Sequence, residues 1–184
     1  GNICSADLNG AQKAFQALPW IDKAQVRRRL PDVVEIHLTE REPVARWKAA
    51  GLVDANGNIF QAATTETFPE FDGQPGTAKT MVAHYQEFSG LLKPAGLSIA
   101  KLEYTPRSAW SVVLDNGITV RLGREHENAR LQQFAAVWPG ILRAQQSGLA
   151  YVDMRYKDGF AVRERAPSEM PSETAASAAD HNQQ

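Results

Sequence analysis

Two apolar stripes at helical spacing constrain this chain more than any other feature. From Thr77 to Leu92, the residues Met81, Val82, Tyr85, Phe88, Leu91 and Leu92 fall on one side of a helix that stops at Pro94 and Gly96. From Asn128 to Arg143, Leu131, Phe134, Ala135, Trp138 and Leu142 do the same. Pro139 lacks an N–H and crowds the preceding turn, so it is expected to kink or restart the second helix. Two one-sided helices need a continuous apolar surface to cover, and strands must supply it.

The candidate strands are short. Ser98 to Tyr104, Ala109 to Leu114 and Ile118 to Leu122 follow the first long helix, the last two joined through Asp115-Asn116-Gly117. Val44 to Trp47 comes earlier, and Leu52-Val53 and Ile59-Phe60 flank Asp54-Ala55-Asn56-Gly57-Asn58, another hairpin signal. Residues 61–75 mix Thr, Pro and Gly and read as loop. Tyr151 to Arg155 and Gly159 to Arg163 meet near Lys157-Asp158-Gly159. At the front, Ser5 or Asp7 can cap a short helix with Leu8, Ala11, Phe15 and Leu18 on one face, ending at Pro19. Ala24, Val26 and Arg28 then turn at Pro31-Asp32 into Val34, Ile36 and Leu38, which alternate with Glu35, His37 and Thr39. That alternation is expected to lay Val34, Ile36 and Leu38 against the first helix.

The order of elements predicts an α+β fold. A helix-on-hairpin module occupies residues 1–48, and a β domain, a largely antiparallel sheet with two long helices on one face, occupies 49–165. From Ala166 the text APSEMPSETAASAADHNQQ has no aromatic or β-branched aliphatic residue and predicts a disordered polar tail, 166–184. That tail carries Glu169, Glu173 and Asp180 and no base, so residues 1–165 hold 20 basic against 18 acidic groups, a net charge of +2.

With 184 residues, 43% hydrophobic and 22% charged, the chain excludes wholesale disorder and a large multi-domain enzyme. A formal net charge of -1 provides no bulk attraction for nucleic acid or anionic lipid. No apolar run approaches the roughly 20 residues that span a bilayer. Gly1 instead of Met opens the chain in mid-pattern, which predicts an excised portion of something longer. Cys4 is the only cysteine, so neither an internal disulfide nor a thiolate zinc cluster can form.

Candidate chemistry is sparse. His37, His84, His126 and His181 have no metal-ligand spacing, and no phosphate-cradling glycine loop or serine elbow occurs. Glu103, Asp115, Asp153 and Asp158 sit near strand ends and could form an acid/base pair, though two of them already belong to turns. With Trp110 they define one alternative reading, a small hydrolytic or carbohydrate-binding domain. Arg27-Arg28-Arg29 places only two bases on one strand face, too few for a nucleic-acid groove. Trp20, Trp47, Trp110 and Trp138 are dispersed and default to core. Tyr151, Val152, Met154 and Tyr156 are too many large groups for one face, so their strand is either central or paired on its free edge by another chain.

Residues 18–47, LPWIDKAQVRRRLPDVVEIHLTEREPVARW, resemble the FtsQ/DivIB family in LPW, VRR with a following Pro, the alternating strand and ExxPVARW. LVDANGNIF at 52–60, RSAWSVVLDNG at 107–117, ITVRLG at 118–123, RLQQF with a downstream WP, and YVDMRYKDGFAV at 151–162 continue the family order. The resemblance implies a bitopic inner-membrane protein whose periplasmic portion is a POTRA domain followed by a β domain. Residues 1–48 would be a partial POTRA domain without its first strand and helix, and the membrane would be met only through an N-terminal helix absent from this chain. No catalysis and no cofactor are implied. The family acts as a divisome scaffold joining FtsB and FtsL to septal peptidoglycan synthesis, and the C-terminal segment of FtsB adds to the edge of the final strands. Carried over, Arg155, Tyr156, Gly159, Phe160 and Val162 would contact it, with Tyr156 as the aromatic anchor. Arg107 would join Arg155 in pairing an acidic side chain. The chain departs from the family's usual pattern at Arg107-Ser108, often two bases, and at Arg163-Glu164, where an aromatic is common.

Overall fold

The computed structural model describes residues 7–31, 33–48, 50–156 and 159–165. Cys4, Ser5, Asp32, Lys157, Asp158, His181 and the whole expected tail lie outside them. The described chain forms two sheets, one of two strands and one of nine.

The small module starts with α1, Leu8–Gln16, capped by Asp7, whose Oδ1 accepts the Gly10 N–H at 2.8 Å. It packs on β1, Ile21–Arg29, which pairs antiparallel with β2, Val33–Glu40. The helix buries Ala24 at the middle of β1, but the expected cover over β2 is missing. Ile36 and Leu38 remain 47% and 44% exposed, and only Val34 is half-buried. A nine-residue helix is one strand wide and lies over β1, so among the described residues nothing covers Ile36 and Leu38 fully.

The larger sheet contains β3, Pro43–Trp47; β4, Leu52–Asp54; β5, Ile59–Phe60; β6, Glu70–Asp72; β7, Ile99–Tyr104; β8, Trp110–Leu114; β9, Thr119–Gly123; β10, Leu149–Asp153; and β11, Ala161–Glu164. Their spatial order is β11-β10-β9-β8-β7-β6-β3-β4-β5. The division expected after residue 48 therefore moves to residues 41–42, because β3 pairs with β4 and β6 and not with the hairpin. β6 was expected to be loop. It has three residues of which only Phe71 is fully buried, and it is inserted by parallel pairing between β3 and β7, which no local turn announces. Parallel pairs β3/β6, β6/β7 and β9/β10 make the sheet mixed, with antiparallel hairpins elsewhere.

Helices α2, Ala78–Leu92, and α3, Glu127–Val137, lie side by side on one face of this sheet. The alternation Trp110, Val112, Leu114 and Val120, Leu122 points inward to meet Met81, Phe88, Leu131 and Phe134, all buried. Gly96, at φ +70, ends the α2 segment in the left-handed conformation glycine tolerates. Pro139 does restart the second helix: α3 ends at Val137 and a wider π-helical turn, Trp138–Leu142, carries the chain past the missing N–H.

Arg41 joins the two parts. Its guanidinium bonds Asp54 at 3.0 Å, lies 3.9 Å from Asp22 and sits over the Phe60 ring, while its N–H donates to Trp20 O. Trp20 meets Phe60 edge-on at 5.6 Å. Asp54 is the buried hub of this junction, accepting from the Asn56 and Asn58 N–H groups and from Asn58 Nδ2.

Candidate functional site

The strand apolar on both sides, β10, turns out to be interior, between β9 and β11. Val152, Asp153 and Met154 are buried, and Tyr151 lies under the guanidinium of Arg121 at 4.1 Å, with that of Arg163 at 6.0 Å. The open edge belongs to β11, the last strand of the sheet. Its orientation follows from one bond. Met154 N–H donates to Arg121 O on β9, so strand alternation turns Tyr151 and Asp153 toward β11. Their register partners Arg163 and Ala161 take the ladder bonds, and the N–H and C=O of Val162 and Glu164 face outward.

Tyr156 is 61% exposed, which removes it from the core. Val162 is exposed, while Phe160 is half-buried against the core cluster and anchors the start of β11. A Cβ at Gly159 would meet nothing within 4 Å, so no described neighbour in this chain demands glycine there. Arg107 lies in the turn before β8, not on a strand adjacent to β11; both β9 and β10 intervene. It nevertheless lines the same concave pocket of about 480 Å³ as Arg155.

Arg155 is held in place. Asp153, buried at the end of β10, accepts its N–H at 3.1 Å, its Nε at 2.8 Å and its Nη2 at 2.6 Å. These bonds keep the Asp153 carboxyl below the usual carboxylate range, against the opposing effect of burial and with help from Arg121. The same pairing raises the Arg155 guanidinium.

Among the described residues, Glu103, Asp115 and Asp153 do not converge, so these three give the acid/base pair considered from the sequence no geometric basis; Asp158 lies outside the described residues. Register runs Glu103, Ser111, Arg121, Asp153 across four strands, which separates the two acids by roughly 14 Å at one strand spacing per step. Each is also committed to a base, Glu103 to Lys101 at 3.0 Å and Asp153 to Arg155. Asp115 is in the β8–β9 turn, near the other end of β9. Trp110 is buried between His84 and Tyr104. Among the described residues no three His, Cys, Asp or Glu side chains could hold a metal ion, and no helix is long and apolar enough to cross a membrane.

Sequence reasoning missed Gly123, Arg124 and Arg130, which line the pocket with Arg107 and Arg155. They come from the end of β9, the link after it and the first turn of α3, so no local spacing marks them as a group.

Two family models match this chain, one over the small module and one over most of the larger sheet. The POTRA domain, FtsQ-type, matches residues 1–41, and the C-terminal domain of cell division protein FtsQ/DivIB matches residues 45–155. The chain is similar to cell division protein FtsQ of Neisseria gonorrhoeae, 54% identical over 172 residues, 93% of this chain and 71% of that protein. FtsQ of Neisseria meningitidis is 55% identical over 164 residues, 89% of this chain and 70% of its own length. FtsQ of Burkholderia pseudomallei is 36% identical over 170 residues, with 89% and 68% covered. This chain belongs to the FtsQ/DivIB family of cell division proteins.

Proposed function

We propose that the chain is a non-catalytic scaffold of the division machinery that captures the C-terminal segment of FtsB, with FtsL, by strand addition to β11. It thereby links that pair to septal peptidoglycan synthesis. The observation that carries this reading is the outer edge of β11, the end of the sheet, where the N–H and C=O groups of Val162 and Glu164 face away from β10. Main-chain bonds supply affinity, Tyr156 the anchor, and Arg155 with Arg107 the pairing for an acidic side chain. Val162 offers apolar surface, Phe160 fixes the start of the strand, and bare Gly159 lets the partner's backbone come close. The absence of convergent carboxylates among the described residues favours this role over hydrolysis.

The reading includes attachment to the bacterial inner membrane through a segment upstream of Gly1, with this portion in the periplasm. Sequencing upstream of Gly1 in the gene should reveal about 20 apolar residues flanked by bases; a polar upstream sequence would remove the membrane claim.

The test for the site is Tyr156→Ala, measuring melting temperature and affinity for a peptide of the same organism's FtsB C-terminus. An anchor loses about 2 kcal/mol or more of binding with little change in stability. Unchanged affinity would refute the assignment.

A further inference from the structure

Val162 and Arg163 are neighbours on β11 but belong to opposite faces of the sheet. Val162 is the register partner of Val152, a core residue under the helices, so its side chain stands on the helix-covered face. Arg163 is the register partner of Tyr151 and stands beside it on the helix-free face. There the Tyr151 ring meets two guanidinium groups, Arg121 at 4.1 Å and Arg163 at 6.0 Å from its centre.

The acid of this corner is already taken. Asp153 accepts from Arg155 with both carboxylate oxygens, at 2.8 Å and 2.6 Å. Its register partner on β11 is Ala161, which brings no charge to the edge. Arg163 is exposed and makes no hydrogen bond or ion pair through its side chain among the described residues. A cation left to an aromatic ring, with a second cation on the same ring, gains from any carboxylate that comes alongside.

The direction of the main chain fixes where such a carboxylate arrives. The N–H and C=O groups of Val162 and Glu164 face outward, and those of Arg163 turn to β10. A strand laid antiparallel on this edge bonds to Val162 and Glu164 and sets the residue between those bonds opposite Arg163. That is a non-hydrogen-bonded pair, in which Cα atoms approach to about 4.5 Å instead of about 5.5 Å and side chains come closest.

We infer that Arg163 selects the strand that β11 accepts, by requiring a carboxylate opposite it on the helix-free face next to an apolar residue opposite Val162 on the other. The inference rests on the strand-addition reading above.

The test exchanges charge across that pair. The whole chain, as wild type, Arg163→Gln and Arg163→Glu, is titrated calorimetrically with the FtsB C-terminal peptide of the same organism and with copies in which each acidic residue in turn is lysine. Arg163→Gln should weaken the unchanged peptide about threefold and Arg163→Glu about tenfold, since the first loses a cross-strand ion pair and the second sets like charges opposite each other. One lysine peptide should bind Arg163→Glu more tightly than the unchanged peptide does, and bind the wild type less tightly. Melting temperatures should match, because the side chain is exposed. Affinity blind to both Arg163 substitutions, while Val162→Pro removes binding by deleting an outward N–H, would overturn the inference and leave strand addition standing. A loss on Arg163→Glu that no lysine peptide recovers would overturn it too. The second probe is a displayed library of short random peptides, counter-selected on Val162→Pro. If the FtsB peptide does not bind, but library peptides with an acid on the wild type change to a base on Arg163→Glu, the FtsB reading falls and the Arg163 pairing stands. A library without charge preference, or without peptides sensitive to Val162→Pro, would refute the pairing.

Discussion

The two parts of this chain solve burial differently. In the small module Ile21 and Ala24 are the only buried apolar residues described, and Leu18, Leu30, Val33, Ile36 and Leu38 are exposed. The larger domain seals Phe71, Phe88 and Phe134 completely between sheet and helices. One layer of helix over half a hairpin cannot exclude water from both strands, whereas two helices over a nine-stranded sheet can. Stability therefore resides in the larger domain, and the module leans on it through Arg41, Trp20 and Phe60.

The sharpest way to break this contrast is in the larger core. Phe134→Ala should cost about 3–5 kcal/mol in urea unfolding, since a fully buried aromatic leaves both a transfer loss and a cavity. A cost below about 1 kcal/mol would mean that the two helices are loosely docked.

The junction comes next. Asp54→Ala removes the acceptor for two backbone N–H groups, Asn58 Nδ2 and Arg41, and should cost about 2 kcal/mol. It should also shift the fluorescence of Trp20, whose ring rests on Phe60. Unchanged emission and stability would show that the two parts do not depend on this contact.

Acidification should act in the same direction on three carboxyls of the larger domain. Asp54 is lowered because hydrogen bonds from Asn58 and Asn56 and the charge of Arg41 outweigh the burial that alone would raise it. Asp72 is lowered chiefly by the Lys48 hydrogen bond, and Asp153 chiefly by Arg155. Each binds protons less readily folded than unfolded, so its stabilisation is complete above the unfolded carboxylate value of about 3.9 and is lost as pH falls through the folded one. The urea midpoint should hold above that window and drop below it; a midpoint rising on acidification would contradict these pairings.

The smallest effect belongs to the module. Leu38→Ser on the half-exposed face of β2 should change stability by no more than about 0.5 kcal/mol, read from the same urea curves. A larger loss would mean that this face is covered in solution.

Periodicity made the larger domain legible. The stripes of α2 and α3 and the Asn-Gly turns at Gly57 and Gly117, both at positive φ, announce their elements locally. What stayed hidden depends on distant pairing. β6 has one core side chain and parallel neighbours, and Ile36 and Leu38 alternate as if buried although no described helix reaches them. The site divides the same way. Arg155 and Tyr156 could be placed by their motif, but Gly123, Arg124 and Arg130 join them only through the order of strands and the approach of α3.

The proposed binding edge is the outward main chain of β11. Val162→Pro removes an N–H that faces outward and no bond of the β10–β11 ladder, since the ladder pairs are Ala161–Asp153 and Arg163–Tyr151. Calorimetric titration of this variant with the FtsB C-terminal peptide should show affinity reduced at least about tenfold, with a melting temperature close to that of the wild type. Wild-type affinity in a folded Val162→Pro protein would contradict strand addition at this edge.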